Sequence, residues 1–135
     1  MAKAQRVTNF NITLDDKPGT LLAIAKDLKS KNVGLVGLMG HGTPTGQAEV
    51  YLIAKTPDKL RNAWKSSGVI VKEETSFFVK GADKTGALVK SLEAIAQAGV
   101  NITSIDAIAV SGNYGFIVRV APADVEKTGK ALGAK

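Results

Sequence analysis

The sequence contains no cysteine and only one histidine, His41, among its 135 residues. Without cysteine the chain can form no disulfide, no thiolate nucleophile and no thiolate metal site, and a single imidazole is too few ligands for a metal. The sequence also shows no Ser/His/Asp set with plausible spacing, no phosphate-binding loop and no dinucleotide-binding fingerprint. We therefore predict that the protein is not an enzyme and that it uses no metal and no cofactor.

Long apolar runs are absent as well. The longest covers residues 33–40, whereas a membrane-spanning helix needs about 18 consecutive apolar residues. The first residues lead directly into strand-like sequence, without the apolar segment or the small-residue cleavage site of a signal peptide. We expect no membrane association and a cytoplasmic location.

Acidic residues are fewer than basic ones, 12 against 18, which gives a formal net charge of +6. The excess lies in residues 1–73, with a net charge of +5, while residues 74–135 carry +1. The lysines of the first part are spread at helix-surface spacing and form no consecutive basic run. This distribution favours solvated helix faces, and nucleic-acid binding is the weaker alternative.

The sequence repeats itself at an offset of 67 residues. Residues 16–19, Asp-Lys-Pro-Gly, match residues 83–86, Asp-Lys-Thr-Gly, and the match continues through the apolar positions as far as Leu38 and Ile105. Pro57 matches Pro122 at an offset of 65, because the second copy is two residues shorter in one turn. The repeat predicts two domains, residues 1–73 and residues 74–135.

Each copy alternates between the hydrophobic period of a strand and that of a helix. In the first copy we predict a strand over 7–14, a helix that begins after Pro18 and ends near Asn32, strands over 33–38 and 50–54, a helix that begins at Thr56 and a strand over 69–71. Residues 40–46 are predicted as a hairpin turn with His41 at its flexible tip. The order βαββαβ indicates an α+β fold of two ferredoxin-like units, each with an antiparallel sheet and helices on one face.

The second copy ends too early for a complete unit. After its second helix, which starts at Pro122, only three residues follow Leu132. We therefore expect its fourth strand to be short or missing, and the sheet edge to be open or filled by the other copy or another chain. Phe78, beside Phe77, also requires a second apolar surface. Both features predict a homo-oligomer, most simply a dimer.

The repeated loop carries a resemblance to a known family. A short strand, the residues Asp-Lys-Pro-Gly-Thr-Leu, a helix, and then Asn-Val-Gly-Leu at the next strand are similar to the ACT domain, and the second copy repeats both motifs at 83–88 and 99–102. ACT domains are small ligand-binding modules attached to many enzymes of amino-acid metabolism. The resemblance implies a regulatory, non-catalytic protein that binds a small amino acid or related metabolite at interfaces between ACT units, with an enzyme of amino-acid metabolism as partner.

The two loops supply the predicted ligand contacts. A glycine at the first turn of a helix lets the backbone approach a ligand, and the unpaired amides there attract a carboxylate. The aspartates either cap the helices or receive the ammonium group of the ligand. The resemblance adds the start of the second strand of a neighbouring unit. The predicted contacts are Asp16, Lys17, Pro18, Gly19, Thr20, Asp83, Gly86 and Asn101.

Two expectations qualify this site. Thr85 stands where the first loop has proline, which predicts a looser and less competent second loop. An alanine in place of Gly19 is expected to block the ligand while leaving the helix nearly as stable, since alanine favours helices over glycine. An assembly module with a vestigial ligand site remains the alternative function.

Overall fold

The computed structural model describes residues 3–65, 67–82 and 84–134. Its elements are β1 (Lys3–Asp15), α1 (Thr20–Ser30), β2 (Leu35–Gly42), β3 (Gln47–Ala54), α2 (Pro57–Trp64), β4 (Ile70–Ala82), α3 (Ala87–Gln97), β5 (Ile102–Val110), β6 (Asn113–Val120) and α4 (Val125–Leu132). A short 3-10 turn precedes α4. None of the helices in the described part of the chain is long and apolar enough to cross a membrane.

The chain forms two compact units. The first unit comprises residues 8–74, and the second comprises residues 1–7 together with residues 75–135. The strands of the first unit follow the order β2-β3-β1-β4, and those of the second the order β1-β4-β6-β5. The pairs β1–β3, β2–β3, β4–β6 and β5–β6 are antiparallel. The predicted α+β class with two ferredoxin-like units is confirmed.

Two strands, β1 and β4, contribute to both units. Residues 70–74 of β4 are the fourth strand of the first unit, and residues 3–7 of β1 take the fourth-strand position of the second. Up to residue 134, the last one described, no strand follows α4. Residues 3–7 therefore supply the strand that the second copy lacks. The compact units differ from the 1–73 and 74–135 division by residues 1–7 and by Glu74.

Each unit has its own apolar core, built from alternate strand residues and one face of each helix. The core of the first unit contains Phe10, Ile12, Leu28, Val33, Val50, Leu52, Ala54, Leu60 and Trp64. That of the second contains Phe77, Val79, Ile95, Val100, Tyr114, Phe116, Val118, Val120 and Ala134, with Ala4 packed against it. Ala4 comes from the N-terminal strand, so this strand contributes side-chain packing to the second core.

The β2–β3 hairpin is longer than predicted. His41 lies within β2 and pairs with Glu49 of β3, with 3.4 Å between its Nε2 and Glu49 Oε2. Its ring also stacks on Tyr51 at 6.1 Å between centroids. The prediction of a flexible tip at His41 is therefore wrong, because cross-strand partners extend the strands into sequence that turn propensity alone assigns to the loop.

An ion pair joins the fourth strand to the second helix in both units. In the first unit, Arg61 of α2 binds Glu73 of β4 through Nε and Nη2, at 3.0 and 2.7 Å. In the second, Arg6 of β1 binds Glu126 of α4 at 2.9 and 3.0 Å. In the repeat, Arg6 corresponds to Glu73 and Glu126 to Arg61, so the two pairs have opposite polarity.

The reversed polarity distinguishes the two fourth strands. If the N-terminal strand took the place of residues 70–74 in the first unit, Arg6 would face Arg61, and two like charges would meet. In both units the arginine also lies over the corresponding phenylalanine, 5.7 Å from the ring centroid of Phe10 and 5.9 Å from that of Phe77. The charges of each unit thus favour its own fourth strand over the fourth strand of the other unit.

These carboxylates make the stability of the fold sensitive to acid. Hydrogen bonds from Arg61 lower the pKa of Glu73, and those from Arg6 lower the pKa of Glu126. Both groups therefore stabilise the fold above their ordinary pKa of about 4.3, and this stability is lost as the pH falls through the lower folded-state values. We expect Glu73→Gln with Glu126→Gln to reduce the slope of melting temperature against pH below about pH 4.5. An acid profile identical to that of the parent would contradict this.

Candidate ligand-binding site

The first predicted loop, residues 16–20, connects β1 to α1 on the surface. Gly19 is the N-cap of α1, and no side chain forms a capping hydrogen bond there. Thr20 Oγ1 instead donates to the carbonyl oxygens of Asp15 and Lys17, at 2.8 and 3.1 Å. Asp16 donates its backbone N–H to the carbonyl of Gly46 at 3.0 Å. Of the two alternatives for Asp16, the structure does not show the helix cap. Its side chain is exposed, and its role as partner of an ammonium group stays a prediction.

The second loop has the same backbone form. Asp83 lies outside the described residues, and Lys84, Thr85 and Gly86 are exposed. Gly86 is the N-cap of α3, again without a side-chain cap. The backbone N–H of Ala87 donates to the carbonyl of Lys84 at 2.9 Å, which closes the turn.

The two glycines are held in the left-handed region of the backbone. Gly19 has a φ of 90° and Gly86 a φ of 80°. An L-residue in this region is disfavoured by about 1 kcal/mol or more. The expectation that alanine at position 19 leaves stability nearly unchanged is therefore wrong, since this glycine lies at the cap and not within the helix. Both copies need glycine here for backbone geometry, whether or not a ligand binds.

A cavity of about 400 Å³ lies between the second loop and β5. Residues 84–88 form one side and residues 107–109 the other, with Tyr114 between them. Ala107 and Ala109 are the cross-strand partners of Phe116 and Tyr114, so their side chains share the face of the sheet that carries the core. The loop and β5 of one unit thus come together around a space of ligand size.

The remaining predicted residues lie elsewhere. Asn101 is exposed and directly precedes β5. Neither Asn101 nor residues 16–20 line the cavity beside the second loop or the two further cavities of about 490 and 310 Å³. A cavity of about 310 Å³ in the first unit is lined by residues 32–35, which include Gly34, the counterpart of Asn101.

The chemistry of the second loop suits an anion. Lys84 provides a positive charge, Thr85 a hydroxyl group, and the N-terminus of α3 the positive end of a helix dipole. The backbone N–H groups of Ala87 and Val89 already donate to the carbonyls of Lys84 and Gly86. Within the described ranges, no group of three or more residues could hold a metal ion. The sequence reasoning missed Ala107, Ala109 and Tyr114. The small residues on an edge strand opposite the loop were the available signal.

A second cavity, of about 490 Å³, lies on the other side of the same loop. It is a groove between α3 and α4 with Val79 and Tyr114 among its lining residues. No prediction from the sequence pointed to it.

No protein-family model and no curated protein sequence matches the chain. Solved structures do match. Protein BT0572 from Bacteroides thetaiotaomicron is 23% identical, with a TM-score of 0.82 over 96% of this chain and 88% of that one. The ligand-free regulatory subunit of aspartate kinase from Thermus thermophilus is 14% identical, with a TM-score of 0.62 over 98% and 94%.

Aspartate kinase from Clostridium acetobutylicum is 20% identical, with a TM-score of 0.54, and the match covers 97% of this chain but 33% of the enzyme. At these identities the likeness is one of fold. The resemblance to the ACT domain that the repeated motif carries is confirmed at that level. The chain has a tandem ACT-like fold, shared with the regulatory subunit of aspartate kinase.

Proposed function

We propose that the protein is a non-catalytic regulatory module that binds a small amino acid beside the second loop. The observation that carries this proposal is the cavity of about 400 Å³ between residues 84–88 and β5. The loop is one of the two that the ACT-like motif identifies, and the cavity is large enough for a small metabolite. Thr85 makes it the less favoured loop in the sequence, but the first loop lines none of the cavities described above. The regulatory role is supported by the shared fold of the aspartate kinase regulatory subunit.

In this proposal the ligand carboxylate meets the first turn of α3, near Gly86 and Lys84. The positive end of the helix dipole and the charge of Lys84 favour a negative charge there. Asp83 directly precedes Lys84 in the sequence and is proposed to receive the ammonium group. The small side chains of Ala107 and Ala109 leave room for the side chain of the ligand.

The test is calorimetric titration of the parent with each of the twenty amino acids. We expect at least one to bind and Ala107→Phe to abolish binding, because the new ring occupies the cavity from an exposed strand position. Asp83→Asn should weaken binding by about tenfold or more, since it removes the charge partner of the ammonium group. A ligand that binds Ala107→Phe as tightly as the parent would place the site elsewhere.

The first loop provides a matched control. Asp16→Asn changes the residue that corresponds to Asp83, in a loop that lines none of the described cavities. It should leave the affinity of the second loop unchanged. We also propose residues 16–20 and Asn101 as contacts of a further ligand, held where another ACT-like unit covers them, and Asn101→Ala tests this by a change in binding stoichiometry.

A homodimer, a cytoplasmic location and a regulated enzyme of amino-acid metabolism complete the proposal. Ile108 and Val110 of β5, the last strand in the order of the second unit, are 70% and 60% exposed, and a second copy would cover them. Phe78 gives no further support, because it packs over Gly115 of β6. If no amino acid binds the parent, the alternative of an assembly module with a vestigial site is favoured.

A further inference from the structure

The groove between α3 and α4 of the second unit adjoins the loop cavity and shares five lining residues with it, Lys84, Thr85, Gly86, Ala87 and Tyr114. Its volume is about 490 Å³. Its walls are mostly small and apolar, with Val79 of β4, Ala94 of α3, and Ala131 and Leu132 of α4 among them. Lys84 and Lys90 lie at its rim, and none of the described residues that line it is acidic.

The first unit shows why this groove exists. There, Trp64 of α2 is 3% exposed and donates its indole N–H to Asp27 of α1 at 2.7 Å. In the repeat, Trp64 corresponds to Gly129 and Asp27 to Ala94. The second unit therefore has a hydrogen atom and a methyl group where the first has an indole and a carboxylate, and the two helices leave space between them.

Only part of this space is filled from within the unit. Arg6 covers Gly129, with its Nη2 2.5 Å from the point where a Cβ would lie. The groove beside Ala94 and Ala131 stays open. Protein interiors are close-packed, so an open volume of this size beside a core is typical of a place that a ligand occupies.

The lysines beside the groove also distinguish the second unit from the first. Lys17, the counterpart of Lys84, lies 3.7 Å from the carboxylate of Asp15. Lys90 corresponds to Ala23, so the second unit has gained a cation beside its groove. Neither Lys84 nor Lys90 forms an ion pair with any residue of the described chain.

We propose that this groove binds a small amphiphile with an anionic head and an unbranched or branched apolar body. The head, a carboxylate or a phosphate, lies between Lys84 and Lys90 and accepts a hydrogen bond from the hydroxyl of Ser91. The apolar body lies along Ala94, Ala131 and Leu132. A free ammonium group on the head is disfavoured, because like charges would meet between Lys84 and Lys90.

This ligand class differs from the amino acid of the proposed function, and variants at residues that line only one of the two cavities separate the two proposals. Ala107→Phe fills the loop cavity and should leave the groove intact. Of the two cavities, Lys90 lines only the groove, so a charge reversal there should weaken binding in the groove more than binding of an amino acid in the loop cavity.

The experiment is titration of the full chain, labelled with ¹⁵N, with hexanoate, hexyl phosphate, hexan-1-ol and norleucine. We expect hexanoate or hexyl phosphate to shift the amide signals of Lys90, Ser91, Ala94 and Ala131. The compound that binds more tightly shows whether the groove prefers a carboxylate or a phosphate. Hexan-1-ol and norleucine should bind at least about tenfold more weakly, because one lacks the charge and the other adds a positive one.

Variants locate the binding. Lys90→Glu should weaken hexanoate and hexyl phosphate by at least about tenfold, and its matched control, Ala23→Glu at the equivalent exposed position of α1, should have no effect. Ala94→Leu should abolish binding by filling the groove. If that variant does not fold, the Lys90→Glu result decides. Absence of binding by both anions, or equal binding of hexan-1-ol, would overturn the proposal.

Discussion

Deletion of residues 1–7 is expected to unfold the second unit while the first unit keeps its fold. The deletion removes the strand beside β4, the packing of Ala4 and the ion pair of Arg6 with Glu126. It also leaves backbone groups of β4 without partners, at about 1–3 kcal/mol for each one that stays buried. A unit of this size has roughly 5 kcal/mol of stability in total, so the loss is decisive.

Spectroscopy can follow the two units separately. Trp64 is the only tryptophan and is buried in the first unit, so its emission should remain that of a buried indole. Circular dichroism should meanwhile lose a large part of its helical signal, and proteolysis should cut within residues 75–135. A variant that melts like the parent would contradict the assignment of the strand.

A circular permutant provides the control for this deletion. Residues 1–7, joined to the C-terminus through a short glycine-rich linker, would follow α4 as the fourth strand does in the first unit. This chain contains all residues of the parent, with the linker added, and should regain most of the stability that the deletion loses. If the second unit remained unfolded in the permutant, the absence of the strand would not explain why the deletion unfolds it.

Trp64→Ala is expected to destabilise the first unit by about 3–5 kcal/mol, the usual range for removing a large buried aromatic side chain. Trp64 contacts a core that includes Leu28 and Leu60, and its indole N–H binds Asp27. Urea denaturation monitored by circular dichroism at 222 nm measures the loss in free energy of unfolding. A decrease below about 1 kcal/mol would show that the helices close over the space.

Trp64→Phe separates packing from hydrogen bonding. The phenyl ring retains most of the apolar contact but cannot donate to Asp27, whose pKa is lowered by the hydrogen bond from Trp64 and by that from Lys31. The loss should be smaller than for alanine, and the pKa of Asp27 should rise toward its ordinary value. Because Asp27 is partly exposed, water can replace the lost donor.

The alternation of hydrophobic periods was sufficient to predict the element order and the fold class, because both depend on which face of each element is apolar. The alternation does not predict where each strand begins and ends. The charged residues 72–74 were interpreted as a domain boundary, yet they lie inside β4, where Glu74 accepts a hydrogen bond from Asn11 at 3.2 Å. Strand ends depend on partners distant in sequence, which local composition does not reveal.

The site was predictable to a similar extent. The loops were found through their repeated residues, but the reason for their glycines was not, since a positive φ at Gly19 and Gly86 is a property of the folded backbone. The groove was in principle accessible from the alignment, where Trp64 faces Gly129 and Asp27 faces Ala94. The differences between the copies indicate the groove, whereas the residues that the copies share indicate only the fold and the loops.

The N-terminal strand also sets the order in which the protein can fold during synthesis. Residues 3–7 leave the ribosome long before their partners, because Arg6 and Glu126 are 120 positions apart and α4 follows the other described elements along the chain. All strands and helices of the first unit have been synthesised once residue 74 has emerged, whereas the second unit can close only after α4 has been made. Until then residues 3–7 have no partner from the second unit. The charges of Lys3 and Arg6 protect this segment from pairing with other nascent chains.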